Sequence, residues 1–240
     1  PPRPVRVKQL PFWKQLPQIF FDLLFPLHCV GCGKAGYSLC EDCMRFLPRL
    51  EGNLCPRCSR PLGTRNICQP CRIWPLAIEI HAPFQFQGVI REAVHGLKYG
   101  NNRSLASPLA ELLFAYWRSH TLFGDVLVPV PLHRSKLRSR GYNQSELLAN
   151  ELAKRVGLPV VASALIRRKN MMPQVRTASI EERWTNATGA FECPNFALQG
   201  KQVILLDDVC TTGATLDTAA RSILSAGASS VWGLTVAREV

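Results

Sequence analysis

Acidic side chains are scarce in this chain: 17 Asp and Glu stand against 29 Lys and Arg, a formal net charge of +12 over 240 residues. Such a balance favours anionic partners such as phosphates, nucleic acid or acidic lipid. Residues 1–72 hold 11 basic and 4 acidic side chains and residues 73–240 hold 18 and 13, so no single basic tail carries the excess. A solvated surface kept soluble by its charge is the plainer account. Long apolar runs are missing too. The longest candidate, "FWKQLPQIFFDLLFPLHCV", is interrupted by Lys14, Pro17, Asp22 and Pro26, which excludes a bilayer span. It also lacks the clean apolar region and small-residue cleavage site of a secretory signal. The chain opens on Pro1, which leaves room for a preceding piece. A cytoplasmic protein without a membrane span is expected. There is no low-complexity tract, and the only internal repetition lies in the cysteines.

Eight of the ten cysteines fall between positions 29 and 71 in four Cys-x-x-Cys pairs. They are "CVGC" (Cys29, Cys32), "CEDC" (Cys40, Cys43), "CPRC" (Cys55, Cys58) and "CQPC" (Cys68, Cys71). Such a turn brings two thiolates to one ion, and two turns complete a tetrahedral zinc site. Gly31, Gly33 and Gly63 lie in or near these turns, where a backbone passing close to sulfur needs no Cβ. A disulfide framework is the competing account; the repeated two-residue spacing and the missing signal peptide argue against it. Two structural Zn²⁺ sites are expected, most simply the first four cysteines together and the second four together, with a cross-braced pairing left open. Four thiolates leave no open position for catalysis, while metal binding supplies on the order of 10 kcal/mol towards folding a short segment. Arg45, Arg49, Arg57, Arg60, Arg65 and Arg72 surround these cysteines, which permits a nucleic-acid contact without requiring one. Cys193 and Cys210 stand apart, and Cys210 reads as a packing residue.

Three parts are expected: an amphipathic segment over 1–27, the zinc module over 28–74 and a larger domain over 75–240. Beyond Pro75, "AIEIHAPFQFQG" alternates as a strand or hairpin. "VIREAVHGLKYG" and "SLASPLAELLFAYWRSH" have helical spacing, the second with Ser104 or Ser107 as N-cap. "DVLVPVP" is a short buried strand, and a helix runs from about Asn143 to Val156 and stops at Gly157. "IRRKNMMPQVRTASIEERWTNATGAF" reads as a long polar loop. "KQVILLDD" is a buried strand, "GATLDTAARSILSAGA" a helix and "SSVWGLTVAR" a further strand. This alternation implies an α/β fold, a parallel sheet flanked by helices.

The stretch "VILLDDVCTTGAT" (203–215) ends an apolar strand on two carboxylates. Ligands of an open parallel sheet bind beyond the carboxyl ends of its strands, so Asp207 and Asp208 are expected to be solvated there and to face a ligand. Thr211 to Thr215 then open a helix whose free N–H groups, hydroxyls and positive end suit a phosphate, with Gly213 allowing close approach. Carboxylates repel phosphate but accept hydrogen bonds from hydroxyls; a sugar diol beside a phosphate describes a ribose 5-phosphate. The glycine spacing is not that of G-x-G-x-x-G, and the P-loop Lys is absent.

This motif resembles the phosphoribosyl pyrophosphate (PRPP) signature of type I phosphoribosyltransferases. The whole chain from about residue 23 resembles the ComF/GntX family of competence-associated proteins through "LFPLHCVGCG", "CPRCSRPLG", "GLKYG", "VPVPLHRSKLRSRGYNQSELLA" and "PQVRTASIEERWTNATGAF". The resemblance implies a type I phosphoribosyltransferase-like sheet preceded by a double zinc ribbon. It implies that Asp207 and Asp208 hold the ribose hydroxyls in the catalytic centre, and that Thr211, Thr212, Gly213, Ala214 and Thr215 hold the 5-phosphate. A pyrophosphate loop is implied at Leu132, His133 and Arg134, with Lys136, Arg138 and Arg140 adding charge. A flap is implied at Arg167, Arg168, Lys169 and Gln174, although "NMMPQ" departs from the family's Thr-Pro before that Gln. Mg²⁺ would accompany PRPP. His133 is open to an acid–base, a pyrophosphate or a structural role. The implied function is transfer of a phosphoribosyl group to an unknown acceptor, linked to DNA uptake. The alternative is a non-catalytic PRPP sensor that binds single-stranded DNA; a purely structural adaptor leaves the paired Asp residues unexplained. Competence machinery is the implied partner.

Overall fold

The computed structural model of the chain describes residues 27–120, 122–168 and 189–240. The expected segment over 1–27 lies outside these apart from Leu27. The two cysteine halves are built alike. In each, a Cys-x-x-Cys turn sits inside a one-bridge hairpin, His28 with Ala35 and Leu54 with Pro61. In each, the next pair opens a short helix, α1 (Glu41–Arg45) or α2 (Gln69–Ile73), with Cys40 or Cys68 as its N-cap.

The segment after the ribbons forms β1 (Ile80–His81) and β2 (Phe84–Gln85). Both pair parallel with β7 (Ser230–Arg238), so this is one interrupted edge strand and no hairpin. Pro83, which has no N–H to give, stands in the gap. Residues 48–50 cover that edge antiparallel: Gln85 N–H donates to the Pro48 carbonyl and Leu50 N–H to the Pro83 carbonyl, both at 2.8 Å. Inward from β7 come β6 (Gln202–Cys210) and then β3 (Val126–Pro129), all parallel, with Val126 opposite Val203 and Leu206 opposite Leu234.

β6 is apolar on both faces, as a central parallel strand must be. Val203 and Leu205 join one buried cluster with Val126 and Val128, while Ile204 and Leu206 join another with Leu127. The latter face is covered by α3 (Gly88–Tyr99), α4 (Ala106–Ser119) and α6 (Gln144–Val156), and Cys29 and Cys40 of the first ribbon pack into it. The former is covered by α7 (Ala214–Ser225), with Cys55, Cys58, Cys68 and Cys71 of the second ribbon. The expected α/β sheet with helices on both faces is therefore present, and each ribbon belongs to the core of one face. Between β3 and α6 lies the short helix α5 (Arg134–Arg140). The expected long loop is tied at its ends, because β4 (Ile166–Arg167) pairs antiparallel with β5 (Phe191–Glu192).

Two caps differ in outcome. Helix α4 uses neither Ser104 nor Ser107: a 3₁₀ turn over Arg103–Leu105 leads directly into it, Leu105 is the N-cap, and Ser104 Oγ bonds Asn102 instead. Helix α6 begins and ends where expected. Asn143 Oδ1 accepts the Ser145 N–H at 3.1 Å, its amide donates to the Val130 carbonyl at 3.1 Å, and Gly157 closes the helix at φ +74°. Asn143 thus joins the end of β3 to the start of α6. Asn143→Ala is expected to cost about 1–3 kcal/mol by removing the cap and orphaning a buried carbonyl, read as a lower denaturation midpoint; an unmoved midpoint would contradict this.

Candidate functional site

The eight cysteines converge as two sets, Cys29, Cys32, Cys40 and Cys43, and Cys55, Cys58, Cys68 and Cys71, each with all four sulfurs within 4.8 Å of one another. The simpler pairing holds, and cross-bracing does not occur. Sulfurs 3.6 Å apart in the first set (Cys32, Cys40) and 3.5 Å apart in the second (Cys58, Cys68) approach the spacing of about 3.8 Å that a tetrahedral zinc with bonds near 2.3 Å requires. The donor chemistry fits as well. Burial opposes ionisation of Cys29, yet the backbone N–H groups of Cys40, Cys32 and Gly31 bring its thiol down to about 6. Cys58 comes down to about 5, first through its hydrogen bond with Cys71, with burial opposing and the positive charge of Arg238 assisting. In turn burial and then Cys29 push the Cys43 thiol up, and Cys58 and then burial push Cys71 up, so each set holds one readily ionised thiol beside one that is not. Thiolates are the zinc-binding form. Both sets fit Zn²⁺ in a structural role, the second wholly buried and the first open at Cys32.

The acidic motif differs from its expected form. β6 does not stop at the carboxylates; it runs on to Cys210 along β7, and only its pairing with β3 ends, at Leu206 opposite Pro129. Asp207 is partly exposed, but Asp208 is 2% exposed rather than solvated. Lys98, at the end of α3, is the reason: its Nζ lies 2.8 Å from Asp208 Oδ1. Burial would lower the Lys98 ammonium, and Asp208 more than offsets it. Asp208 Oδ2 has no hydrogen-bond partner among the described residues. Asp207 Oδ1 accepts from Ser145 Oγ at 2.8 Å and from the Asp208 N–H at 2.9 Å. Burial first, and then the charge of Asp208, raise the Asp207 carboxyl to about 6, with Lys98 and Ser145 opposing.

After Cys210, Thr211 and Thr212 form a bend and Gly213 takes φ +89°, which only glycine adopts freely. Helix α7 starts at Ala214, whose N–H reaches Thr212 Oγ1 at 3.3 Å. Thr215 lies in the first turn, where amides have no partner within the helix.

Among the other expected residues, the structure gathers some and separates others. Arg140 and Lys136 of α5 line a cleft of about 750 Å³ with Lys98, Tyr99, Arg103 and Tyr142. Burial and then the charges of Arg167, Arg140 and Lys98 lower the Lys136 ammonium, and Asp207 acts on Arg167. The implied pyrophosphate loop, the start of the implied flap and the acidic motif therefore meet around one cationic cluster. Leu132 is partly exposed before α5. His133 is the N-cap of α5, its Nδ1 accepting the Ser135 N–H at 3.3 Å. Arg134 and Arg138 are exposed. Arg168 pairs instead with Glu192 at 2.6 Å. Lys169 and Gln174 lie outside the described residues. Lys98 and Ser145 had no expected role although "GLKYG" and "NQSELLA" contain them, because a partner from another element leaves no mark in spacing.

The family pattern described as a double zinc ribbon domain matches residues 20–72, and that described as a phosphoribosyl transferase domain matches residues 143–238. Competence protein ComFC of Bacillus subtilis (strain 168) is 27% identical over 214 residues, 85% of this chain and 86% of that protein. DNA utilization protein YhgH of Escherichia coli (strain K12) is 28% identical over 207 residues, 81% of this chain and 88% of that protein. Competence protein F of Haemophilus influenzae is 29% identical over 215 residues, 86% and 89% of the two chains. Among solved structures, glutamine PRPP amidotransferase from B. subtilis, complexed with ADP and GMP, superposes with a TM-score of 0.42 at 17% identity, covering 60% of this chain and 30% of that one. No helix among the described residues is long and apolar enough to cross a membrane.

Metal analysis should find two zinc ions per chain. A Cβ on Gly31 would meet Cys43 Sγ at 2.7 Å, so Gly31→Ala should leave one; retention of both would refute the tight fit of the first site.

Proposed function

We propose, for a chain that belongs with the homologues of ComFC and YhgH and joins a double zinc ribbon to a phosphoribosyl transferase domain, that residues 75–240 bind PRPP with Mg²⁺ and pass its phosphoribosyl group to an acceptor. In this division residues 28–74 hold two structural zinc ions. The observation that carries the reading is Lys98, which lines the cationic cleft with Lys136 and Arg140 and lies 2.8 Å from Asp208 Oδ1, on the strand that leads into the Gly213 turn. Asp207 and the unpartnered Oδ2 of Asp208 accept hydrogen bonds from the ribose 2′- and 3′-hydroxyls. Thr211, Thr212, Gly213, Ala214 and Thr215 receive the 5-phosphate at the start of α7. Leu132, His133, Arg134 and Arg140, together with Lys136 and Lys98, are assigned to the pyrophosphate, and so is Arg167 at the start of the flap; Lys169 and Gln174, the other flap residues of this reading, lie outside the described residues.

The acidic pair and the partly free diol oxygens suit Mg²⁺ held mainly by ligand oxygens, where the ion would neutralise the leaving pyrophosphate. Displacement at the anomeric carbon breaks its bond to pyrophosphate and forms a bond to a nitrogen nucleophile. Fixed charge around the developing cation is then the main catalytic contribution of the chain. His133 caps α5, which favours a positioning role for it. The names of the relatives, competence and DNA utilization, supply the process in which this chemistry serves.

PRPP should bind in millimolar Mg²⁺, and Asp207→Asn combined with Asp208→Asn should abolish binding in calorimetry; undiminished binding would sink the pocket. Because hydroxyls donate to the ionised Asp207, affinity should rise with pH through about 6, and Asp207→Asn should flatten that rise. Pyrophosphate release with one member of a panel of bases and amines establishes turnover.

A second reading is favoured by Tyr99. It is 74% exposed, with the Arg140 guanidinium 5.2 Å from its ring centroid at the cationic cleft. An exposed ring flanked by cations is how single strands are held without sequence preference, which suits a PRPP-responsive, single-stranded-DNA-binding protein without turnover. Binding of an oligonucleotide should then fall steeply with salt and drop about tenfold in Tyr99→Ala; a flat salt response and unaltered affinity would remove this reading.

A further inference from the structure

Arg238, the last residue of β7, is fully buried at 0% exposure. No carboxylate among the described residues makes an ion pair with it. Its hydrogen bonds run instead to Cys210 Sγ at 2.8 Å and to the Thr211 carbonyl at 3.1 Å, and its Nε has no partner among the described residues. A guanidinium does not lose its proton in a protein, and an uncompensated buried charge costs several kcal/mol. Burial would lower the guanidinium, and Cys210 first, then the sulfurs of Cys58, Cys71 and Cys68, offset it; Cys210 packs in the same buried cluster as the four cysteines of the second ribbon. Four thiolates around one Zn²⁺ form a dianion, whereas disulfides or four neutral thiols would offer no charge. The same geometry joins the centre to the motif. Cys210 and Thr211 stand between Asp208 and the glycine turn, and Arg60, two residues beyond Cys58, also reaches the Thr211 carbonyl at 3.5 Å.

We propose that Arg238 is a positioning residue through which zinc in the second ribbon holds the phosphate-binding turn in place. The inference rests on the PRPP reading above for the ligand, and for the metal on the burial of Arg238, its contact with Cys210 and the packing of Cys210 with the second ribbon. With zinc bound, the dianion holds the guanidinium and the guanidinium holds the Thr211 carbonyl, which sets the start of the turn to Thr215. Without the metal the charged centre is gone, the buried cation loses its counter-ion and the turn loses its anchor. Linkage makes the effect reciprocal: a phosphorylated ligand on the turn must slow zinc loss from the second ribbon. The first ribbon, on the other face of the sheet, has no such connection among the described residues.

The test follows zinc transfer from the full chain to excess chromogenic chelator, with one kinetic phase for each site, and PRPP binding by calorimetry. Arg238→Met should speed one phase at least tenfold, leave the other unchanged and weaken PRPP binding at least tenfold. Arg238→Lys should recover most of the zinc retention through its charge, but not the affinity, because an ammonium does not span both contacts. In the wild-type chain, PRPP with Mg²⁺ should slow one phase at least threefold. Wild-type zinc kinetics in Arg238→Met, or PRPP binding that moves neither phase, would overturn the coupling. Should Arg238→Met unfold and release both ions together, Cys210→Ser decides. That variant trims one contact and leaves the charge: faster loss from one site supports the proposal, and unchanged loss from both overturns it. A wild-type chain that binds no PRPP refutes the pocket reading and with it the coupling to the turn, while the zinc comparison still decides the electrostatic contact.

Discussion

Lys98 Nζ and Asp208 Oδ1 lie 2.8 Å apart with side chains 19% and 3% exposed, and the end of the central sheet is arranged around charges buried in this way. Taking a carboxylate out of water costs far more than a single hydrogen bond returns, so it survives only beside a cation of fixed position. Helix α3 must therefore end where it does, with Lys98 brought under β6. That placement in turn puts Tyr99 on the rim of the cleft and leaves Asp207, next door, as the more exposed oxygen of the pair. The raised carboxyl of Asp207 follows from the same crowding.

The neighbouring strand β7, at the same end of the sheet, shows the constraint with the signs reversed. Arg238 is buried without a carboxylate partner among the described residues, and its guanidinium reaches Cys210 Sγ and the Thr211 carbonyl instead. The ribbons are thus more than an appendage. Each contributes cysteine side chains to the core of one face of the sheet, and residues 48–50 between them cover the edge that β1 and β2 would otherwise expose. An open strand edge invites pairing with other chains; here a short metal-stapled segment closes it. Metal binding energy that folds the ribbons is in that sense shared with the larger fold.

Much was legible in the residues themselves. Contiguous apolar runs such as Val203–Leu206 mark a strand buried on both faces, and Asn143 and Gly157 mark both ends of α6, because patterning and caps are local properties. The four Cys-x-x-Cys pairs foretold two metal sites for the same reason. Where local signals compete, the reading failed. Ser104 and Ser107 both looked like caps, but a preceding 3₁₀ turn took over that task. The edge segment read as a strand or a hairpin and is a strand; alternation does not say which strand is the neighbour. The solvated acidic pair proved half right, since nothing in "LLDD" announces a lysine more than a hundred residues away.

The sequence by itself determined which chemical groups are present and at what local spacing: thiolate pairs, adjacent carboxylates, a glycine turn before a helix, and strands and helices in alternation. Only the tertiary structure decided their partners. It assigned the sulfurs to two separate centres, set Lys98 on Asp208, and brought Arg238 against Cys210 and the carbonyl of the turn beside it. Short-range geometry is written in neighbouring residues, whereas the compensation of a buried charge depends on whichever distant group the fold delivers to within a few ångströms.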